Sequence, residues 1–289
     1  MKTLFIVNPI SGGRNKSFVP EVIAQHFDKN SFEIVNTDYI GHATELTIEG
    51  KKAGFMNFVA VGGDGTVNEV AKELIGTDYN LGILPLGSGN GLARHNHIPL
   101  QIDKALEAIK KQETKRIDTC KLNDYAFINM SGVGFDAHIG KLFAESKGRG
   151  LQTYISTTIN EFMQYKAQDY TLKINGTKFD KNAFLISFAN SSQYGNNAFI
   201  APHADMEDGL VDVCIMKPFP PIGILDLGFK LFTKTIDQSQ YVETIRANEV
   251  IVERDETGEI HVDGEPHETG KEIIIKVVPK SLNLIISRN

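Results

Sequence analysis

Three glycines and an aspartate, Gly62-Gly63-Asp64-Gly65, follow the apolar run Phe58-Val59-Ala60-Val61 and lead into apolar residues at Val67, Val70, Ala71, Leu74 and Ile75. A strand, a glycine turn and a helix of 3.6-residue period present free backbone N–H groups and the positive end of a helix dipole, a setting that binds phosphate. Asp64 would repel phosphate unless a cation stood between them, so the turn also suggests Mg²⁺. Thr66 and Glu69 have the capping-box spacing, which places the start of the helix there. An ordinary βα turn has a similar composition, with Gly for conformation and Asp for turn propensity.

The pattern recurs. Thr3–Val7 leads into Asn8-Pro9-Ile10-Ser11-Gly12-Gly13-Arg14, and Leu81–Leu86 into Gly87-Ser88-Gly89-Asn90-Gly91-Leu92-Ala93-Arg94. Neither segment matches the common phosphate-loop or dinucleotide fingerprints. In an α/β sheet the three turns would converge at the carboxyl ends of the strands, where such folds bind ligands.

Asn8-Pro9 with Gly12-Gly13, the Gly62–Thr66 stretch with Asn68-Glu69, and Leu84-Pro85 with Gly87-Ser88-Gly89-Asn90 resemble the diacylglycerol-kinase catalytic family, which includes sphingosine and ceramide kinases. Pro202–Asp212 and Val262-Asp263-Gly264-Glu265-Pro266 match as well, in the right order and over nearly the whole chain. Gly-Gly-Asp-Gly alone would also admit an NAD kinase or phosphofructokinase relative. The third turn reads Ser88-Gly89-Asn90-Gly91-Leu92 where many bacterial diacylglycerol kinases have Thr-x-Asn-Asp-Phe, so the acceptor lipid stays open between diacylglycerol and a sphingoid-type lipid.

The resemblance implies an ATP- and Mg²⁺-dependent lipid kinase. Phosphoryl transfer needs positioning, a divalent ion to spread charge, and a base near the acceptor hydroxyl. By resemblance that base is Asp263, with Glu265 beside it holding Mg²⁺ or nucleotide and Asp64 touching the metal or its waters. Asp-Gly is also a common hairpin signal, the plain alternative for Asp263. For the nucleotide the family pattern implicates Asn8, Thr37, Gly62, Gly63, Asp64, Gly65, Thr66, Val67, Asn68 and Ser88. Asp118 matches an aspartate of the metal's water network, or is a solvated strand-end carboxylate. Asp205, Asp208 and the Leu210 carbonyl resemble a second, structural Mg²⁺ site, for which a plain acidic turn is the alternative. Arg14, Lys16 and Arg94 are candidate phosphate partners. An NAD kinase-like enzyme with a soluble acceptor and a silent nucleotide- or lipid-binding sensor are the rival readings.

The elements that must position these residues change character near residue 120. Before it, strands alternate with helical stretches at 19–27, 44–53, 67–75 and 102–111, the grammar of a mainly parallel sheet. After it come strand-like runs at 125–130, 170–174, 183–189, 210–216, 249–253, 273–278 and 282–286, with helical material at 137–165 and 222–232. Asn175-Gly176 is a hairpin signal. The reading is an α/β nucleotide-binding domain over residues 1–122 and an antiparallel β-sandwich lipid-substrate domain over 123–279. Resemblance returns the last strand, about 280–289, to the first domain, an NAD kinase/phosphofructokinase-like fold, and puts the active site in the cleft.

Composition sets outer limits. The 289 residues carry a net charge of −6, which argues against a globally basic surface for nucleic acid, so a lipid substrate at a membrane surface would be met through a local patch. No run approaches the roughly 18 apolar residues of a membrane span. The apolar run near the N-terminus reads as a first strand rather than a signal segment. Cys120 and Cys214 match no metal spacing and read as buried thiols of a reducing, cytoplasmic setting, with a peripheral position at the inner membrane face allowed. A homodimer is also allowed. Ile222–Lys234, entered through Pro218-Phe219-Pro220-Pro221, is a mostly apolar helix that either covers one end of the β domain or meets the membrane interface.

Overall fold

The structure, a computed structural model, describes residues 2–13, 15–145, 161–162 and 164–287. The chain divides into two compact units, Met1–Asp118 with Pro279–Asn289, and Thr119–Val278.

In the first unit, strands β1 (Thr3–Val7), β2 (Phe32–Asn36), β3 (Asn57–Gly62) and β4 (Asn80–Pro85) form a parallel sheet in the order β2-β1-β3-β4. The end of the last strand, β16 (Glu272–Ile285), joins it parallel to β4 through Asn283 and Leu284. Helices α1 (Val19–His26), α2 (His42–Lys52), α3 (Asp64–Lys72), α4 (Gly91–His95) and α5 (Ile102–Lys111) connect and cover the strands. β1, β3 and β4 are buried almost throughout, the unbroken apolar pattern of strands covered on both faces. Phe5, Val7, Val59, Val61 and Leu84 pack with Ile23 of α1 and Leu106 and Ile109 of α5.

α3 starts three residues earlier than the capping-box spacing indicates. Gly63, in an extended conformation, is its N-cap, and Thr66 and Glu69 do not pair as a box. Thr66 Oγ1 instead accepts from Asn8 Nδ2 at 3.1 Å, and Glu69 Oε2 accepts from the Ala43 N–H at 3.0 Å. Glu69 therefore caps the neighbouring helix α2, whose own N-cap residue, Gly41, has no side chain to do so.

The second unit is antiparallel. One sheet runs in the order β12 (Val242–Ala247), β11 (Val211–Met216), β10 (Leu185–Ala189), β7 (Met130–Gly134), β14 (Gly258–Val262), β15 (Glu265–Thr269). The other pairs the first part of β16 with β13 (Glu249–Arg254), then β8 (Gln168–Ile174) and β9 (Thr177–Ala183). β5 (Thr114–Leu122) pairs with β6 (Tyr125–Phe127) beside them. Residues of both sheets, among them Phe127, Val133, Leu172, Phe188, Val213, Val252, Ile260 and Ile275, share one core cluster, as in a sandwich. Asn175 and Gly176 have φ of 50° and 77° and join β8 to β9 as the sequence indicates. Helix α6 (Phe135–Glu145) follows β7, and α7 (Gly223–Thr233) follows β11. The rest of the helical stretch read at 137–165 lies largely outside the described residues. Among the described residues no helix is long and apolar enough to cross a membrane.

Candidate active site

The first unit brings the three glycine turns together. β1, β3 and β4 are parallel neighbours, so their carboxyl ends, Val7, Gly62 and Pro85, line up at one edge. The ladder continues past them through Asn8 N–H to Val61 O (3.0 Å), Leu86 N–H to Gly62 O (2.8 Å) and Thr37 N–H to Val7 O (2.9 Å). Contact between the turns is so close that only glycine fits. A Cβ on Gly87 would lie 2.2 Å from the Gly63 Cα, and one on Gly12, whose φ is 66°, 2.4 Å from the Leu86 carbonyl oxygen. A Cβ on Gly62 would lie 2.6 Å from Thr66 Oγ1, whereas one on Gly65 would meet nothing.

α3 enters this edge at its N-terminus. Its first internal bond runs from Val67 N–H to Gly63 O, so the amides of its first turn have no helical acceptor. Asn68 and Val67 are buried on the inner face, and Ser88 is exposed on the third turn. Thr37, at the end of β2, is buried. Asn90 closes the third turn by donating from Nδ2 to Gly87 O (2.9 Å) while its Oδ1 accepts from Gly87 N–H (3.0 Å).

The charged groups also brace the turns. Lys16 is only 5% exposed, and its ammonium donates to Asn8 O (2.9 Å), Ser11 Oγ (2.7 Å) and Ser11 O. Burial holds its pKa below the ordinary lysine value. Arg94 donates from Nε to Gly89 O at 3.1 Å. Arg14 lies outside the described residues. Asp64 Oδ1 accepts from the Gly91 N–H at 2.7 Å, tying the second turn to the start of α4. Burial pushes the Asp64 carboxyl up, against the opposing pull of amide hydrogen bonds from Gly91, Leu92, Asn90 and its own N–H. A divalent cation beside such a carboxylate would favour its ionised form.

Asp118 is fully buried, and its Oδ1 accepts from the Lys280 N–H at 2.7 Å, where β16 kinks through a residue with φ of 48°. It is a buried brace rather than the solvated strand-end carboxylate considered from sequence.

In the second unit Asp263 and Gly264, with φ of 49° and 84°, are the two-residue turn between β14 and β15. The hairpin reading therefore holds, and the carboxylate has a further function. Asp263 accepts from three successive amides, Ile128 (2.9 Å), Asn129 (2.8 Å) and Met130 (2.9 Å), while its own N–H donates to Met130 O at 2.8 Å. Those donors hold the half-buried carboxylate in one orientation. Glu265 opens β15, half-buried, opposite Val262.

Behind this turn lies a network that sequence reasoning missed. His261 is 3% exposed, and its Nε2 donates to Asp136 Oδ2 at 3.0 Å; Tyr194 donates its hydroxyl to the same oxygen at 2.8 Å. Burial opposes both charges, but the His261 charge and the hydrogen bonds from His261 and Tyr194 leave Asp136 below the usual carboxylate range. Burial likewise opposes the His261 charge, and Asp136, with help from Asp263, raises His261 above the usual histidine value. Gly132 makes room for the pair, since a Cβ there would lie 2.8 Å from His261 Nε2. A buried-strand His flanked by Ile260 and Val262, and glycines inside β7, were the available signals.

Asp205 and Asp208 lie in an acidic turn with Leu210. Asp205 Oδ1 accepts from Glu207 N–H and Asp208 Oδ1 from Leu210 N–H, both at 2.9 Å. The other Asp208 oxygen is bonded to the Arg246 guanidinium, which also donates to Asp212 at 3.0 Å. The guanidinium thus bridges Asp208 and Asp212. Among the described residues, no group of three or more His, Cys, Asp or Glu side chains is placed to hold a metal ion. Cys120 and Cys214 are buried thiols that form no disulfide with each other.

Residues 2–122 match the diacylglycerol kinase catalytic domain, and residues 129–286 match the YegS C-terminal NAD kinase beta sandwich-like domain. A protein of Pseudomonas aeruginosa (strain UCBPP-PA14) named probable lipid kinase YegS-like is 30% identical, over 98% of this chain and 93% of that protein. One of Salmonella arizonae named probable lipid kinase YegS is 32% identical, over 84% and 82%. The fold is similar to that of a diacylglycerol kinase from Bacillus anthracis str. Sterne (TM-score 0.77, 22% identity, 99% of this chain and 97% of that one). It is more distantly similar to an NAD kinase from Archaeoglobus fulgidus (TM-score 0.57, 15% identity, 98% and 93%).

Proposed function

The chain belongs to the diacylglycerol kinase catalytic-domain family and is a phosphotransferase, and from that premise we propose that it transfers the γ-phosphoryl group of ATP to the hydroxyl of a lipid, diacylglycerol or a sphingoid-type lipid. The observation that carries this reading is the contact of three glycine turns at the carboxyl ends of β1, β3 and β4, with the N-terminus of α3 opening onto them. The glycines let the turn backbones come this close, so backbone amides can approach phosphate oxygens.

In this reading the α3 amides and the Gly62–Asn68 turn hold the phosphates, Asn8 and Lys16 fix the first turn, and Thr37 and Ser88 flank the nucleotide. Asp64 contacts Mg²⁺ or its water shell; the ion, when bound with ATP, spreads the charge of the phosphates. Mg²⁺ commonly keeps several waters and takes one or two carboxylates plus substrate phosphates, the role Asp64 would serve. Asp263 accepts the proton of the lipid hydroxyl, oriented by the amides of residues 128–130, and Glu265 assists with metal or nucleotide.

An NAD kinase-like enzyme would use the same kind of nucleotide cradle with a soluble acceptor. Incubating the pure protein with ATP, Mg²⁺ and, in parallel, diacylglycerol, sphingosine and NAD separates the readings. Phosphorylation of either lipid supports the proposal, phosphorylation of NAD alone replaces it, and ATP binding without turnover on a broad lipid panel would leave a sensor.

A further inference from the structure

Helix α7 presents an apolar stripe to solvent. Ile222, Leu225, Phe229 and Phe232 are spaced by three, four and three residues, which places them on one helical face, and they are 75%, 71%, 68% and 59% exposed. Gly223 and Leu227 lie on the opposite, buried face, and Leu231 packs onto the same cluster as Leu227. The helix is therefore already seated by its other side. Its entry is fixed too, by Gly223 N–H to Pro220 O (2.8 Å) and by the Phe219 ring packed against Phe162 and Phe184. Four such side chains expose on the order of 500 Å² of apolar surface, the upper end of what a monomer normally shows in one patch.

The charge around the stripe selects its occupant. Lys217, Lys230 and Lys234 flank it and Asp226 is the one acidic residue of the segment Lys217–Lys234, which therefore carries +3 and −1, a net +2, in a chain of net −6. Asp226 is paired with Lys230 at 3.0 Å and Glu243 meets Lys217 at 3.6 Å, while the Lys234 ammonium at the far end lies over the Phe199 ring, 4.4 Å from its centroid. An in-plane helix with an apolar face and lysines along its margins suits the boundary between acyl chains and anionic headgroups. At 11 residues α7 is too short to cross a bilayer.

We infer that α7 docks the protein on an anionic phospholipid surface, with Ile222, Leu225, Phe229 and Phe232 entering the acyl boundary and the lysines meeting headgroups. The inference rests on the lipid-kinase reading, because an acceptor of that class stays in the membrane and the enzyme must come to it.

The test compares the full chain with the double variant Leu225→Gln/Phe229→Gln, using vesicles of phosphatidylcholine with and without phosphatidylglycerol. The wild-type chain is expected to co-sediment with the anionic vesicles and less with the neutral ones. The variant is expected to lose about tenfold or more in vesicle affinity with an unchanged melting temperature. Its turnover on a detergent-dispersed short-chain acceptor should remain, while turnover on vesicle-borne lipid falls. Failure of the wild type to bind, equal binding by the variant, or a wild-type dimer that dissociates in the variant without any vesicle binding would overturn it. If vesicles are bound through α7 but no dispersed lipid is phosphorylated, the kinase reading fails instead; turnover on dispersed lipid without vesicle binding removes only the docking surface.

Discussion

Gly63 and Gly87 touch backbone to backbone: a Cβ on Gly87 would stand 2.2 Å from the Gly63 Cα, and one on Gly63 would stand 3.2 Å from the Gly87 Cα. The second and third turns are thereby pressed into a single surface. Gly63→Asp adds both a side chain and a negative charge where phosphate is proposed to lie. It is expected to weaken ATP binding by tenfold or more while the fold survives, as read by calorimetry beside circular dichroism. Unchanged ATP affinity would contradict a phosphate-cradling role. Gly65→Ala, with open space around its Cβ, serves as the contrast and is expected to cost little stability.

Asp263 has two roles to separate. As general base, its loss in Asp263→Asn should lower kcat by about 10²–10⁴-fold and leave ATP binding nearly intact. The same change turns an amide NH₂ towards a group of N–H donors, so the Ile128–Met130 contact weakens and the melting temperature should fall as well. Turnover is therefore read per folded molecule. Near-normal turnover would leave Asp263 as a hairpin brace alone.

The Asp136–His261 pair predicts how stability depends on pH. Asp136 has a lowered folded pKa, so its contribution is present above the unfolded carboxylate value and is lost as pH falls through the folded one. His261 has a raised folded pKa, so its contribution is complete below the unfolded histidine value and is lost as pH rises through the folded one. Stability from the pair is greatest between the two. His261→Gln should destabilise by about 3 kcal/mol and remove the alkaline limb of a denaturation-against-pH curve. An unchanged limb would assign it to other groups.

Arg246 bears on the acidic loop. Burial pushes the Asp212 carboxyl up, with Arg246 pulling it down and Asp208 adding to the rise. With the guanidinium in place, Mg²⁺ alone should leave the melting temperature of the nucleotide-free protein unchanged, whereas Arg246→Gln should become less stable and gain Mg²⁺ dependence. A Mg²⁺-induced rise in the wild type that Asp208→Asn abolishes would instead assign a metal to this loop.

What could be read in the sequence follows from range and burial. β1, β3 and β4 are continuous apolar runs ended by glycine, so they and the helices after them stand out at short range. β9 (TKFDKNA) and β12 (VETIRA) are edge strands with polar outward residues, and β14 and β15 carry His261 and His267, so none shows a clean apolar run. The Thr66–Glu69 spacing misled because both side chains found distant partners, Asn8 and Ala43. The Asp136–His261 contact joins residues 125 apart in the chain, and Arg246 lies 38 residues from Asp208. No local pattern encodes either pairing.

The central claim is tested most directly by supplying γ-labelled ATP and Mg²⁺ to the pure protein with dispersed diacylglycerol, sphingosine and related lipids, and measuring label in the organic extract. The account predicts labelled lipid with multiple turnovers, abolished in Gly63→Asp and reduced at least a hundredfold in Asp263→Asn. Label that stays in ATP and inorganic phosphate across the whole panel, or that moves only to NAD, would contradict it.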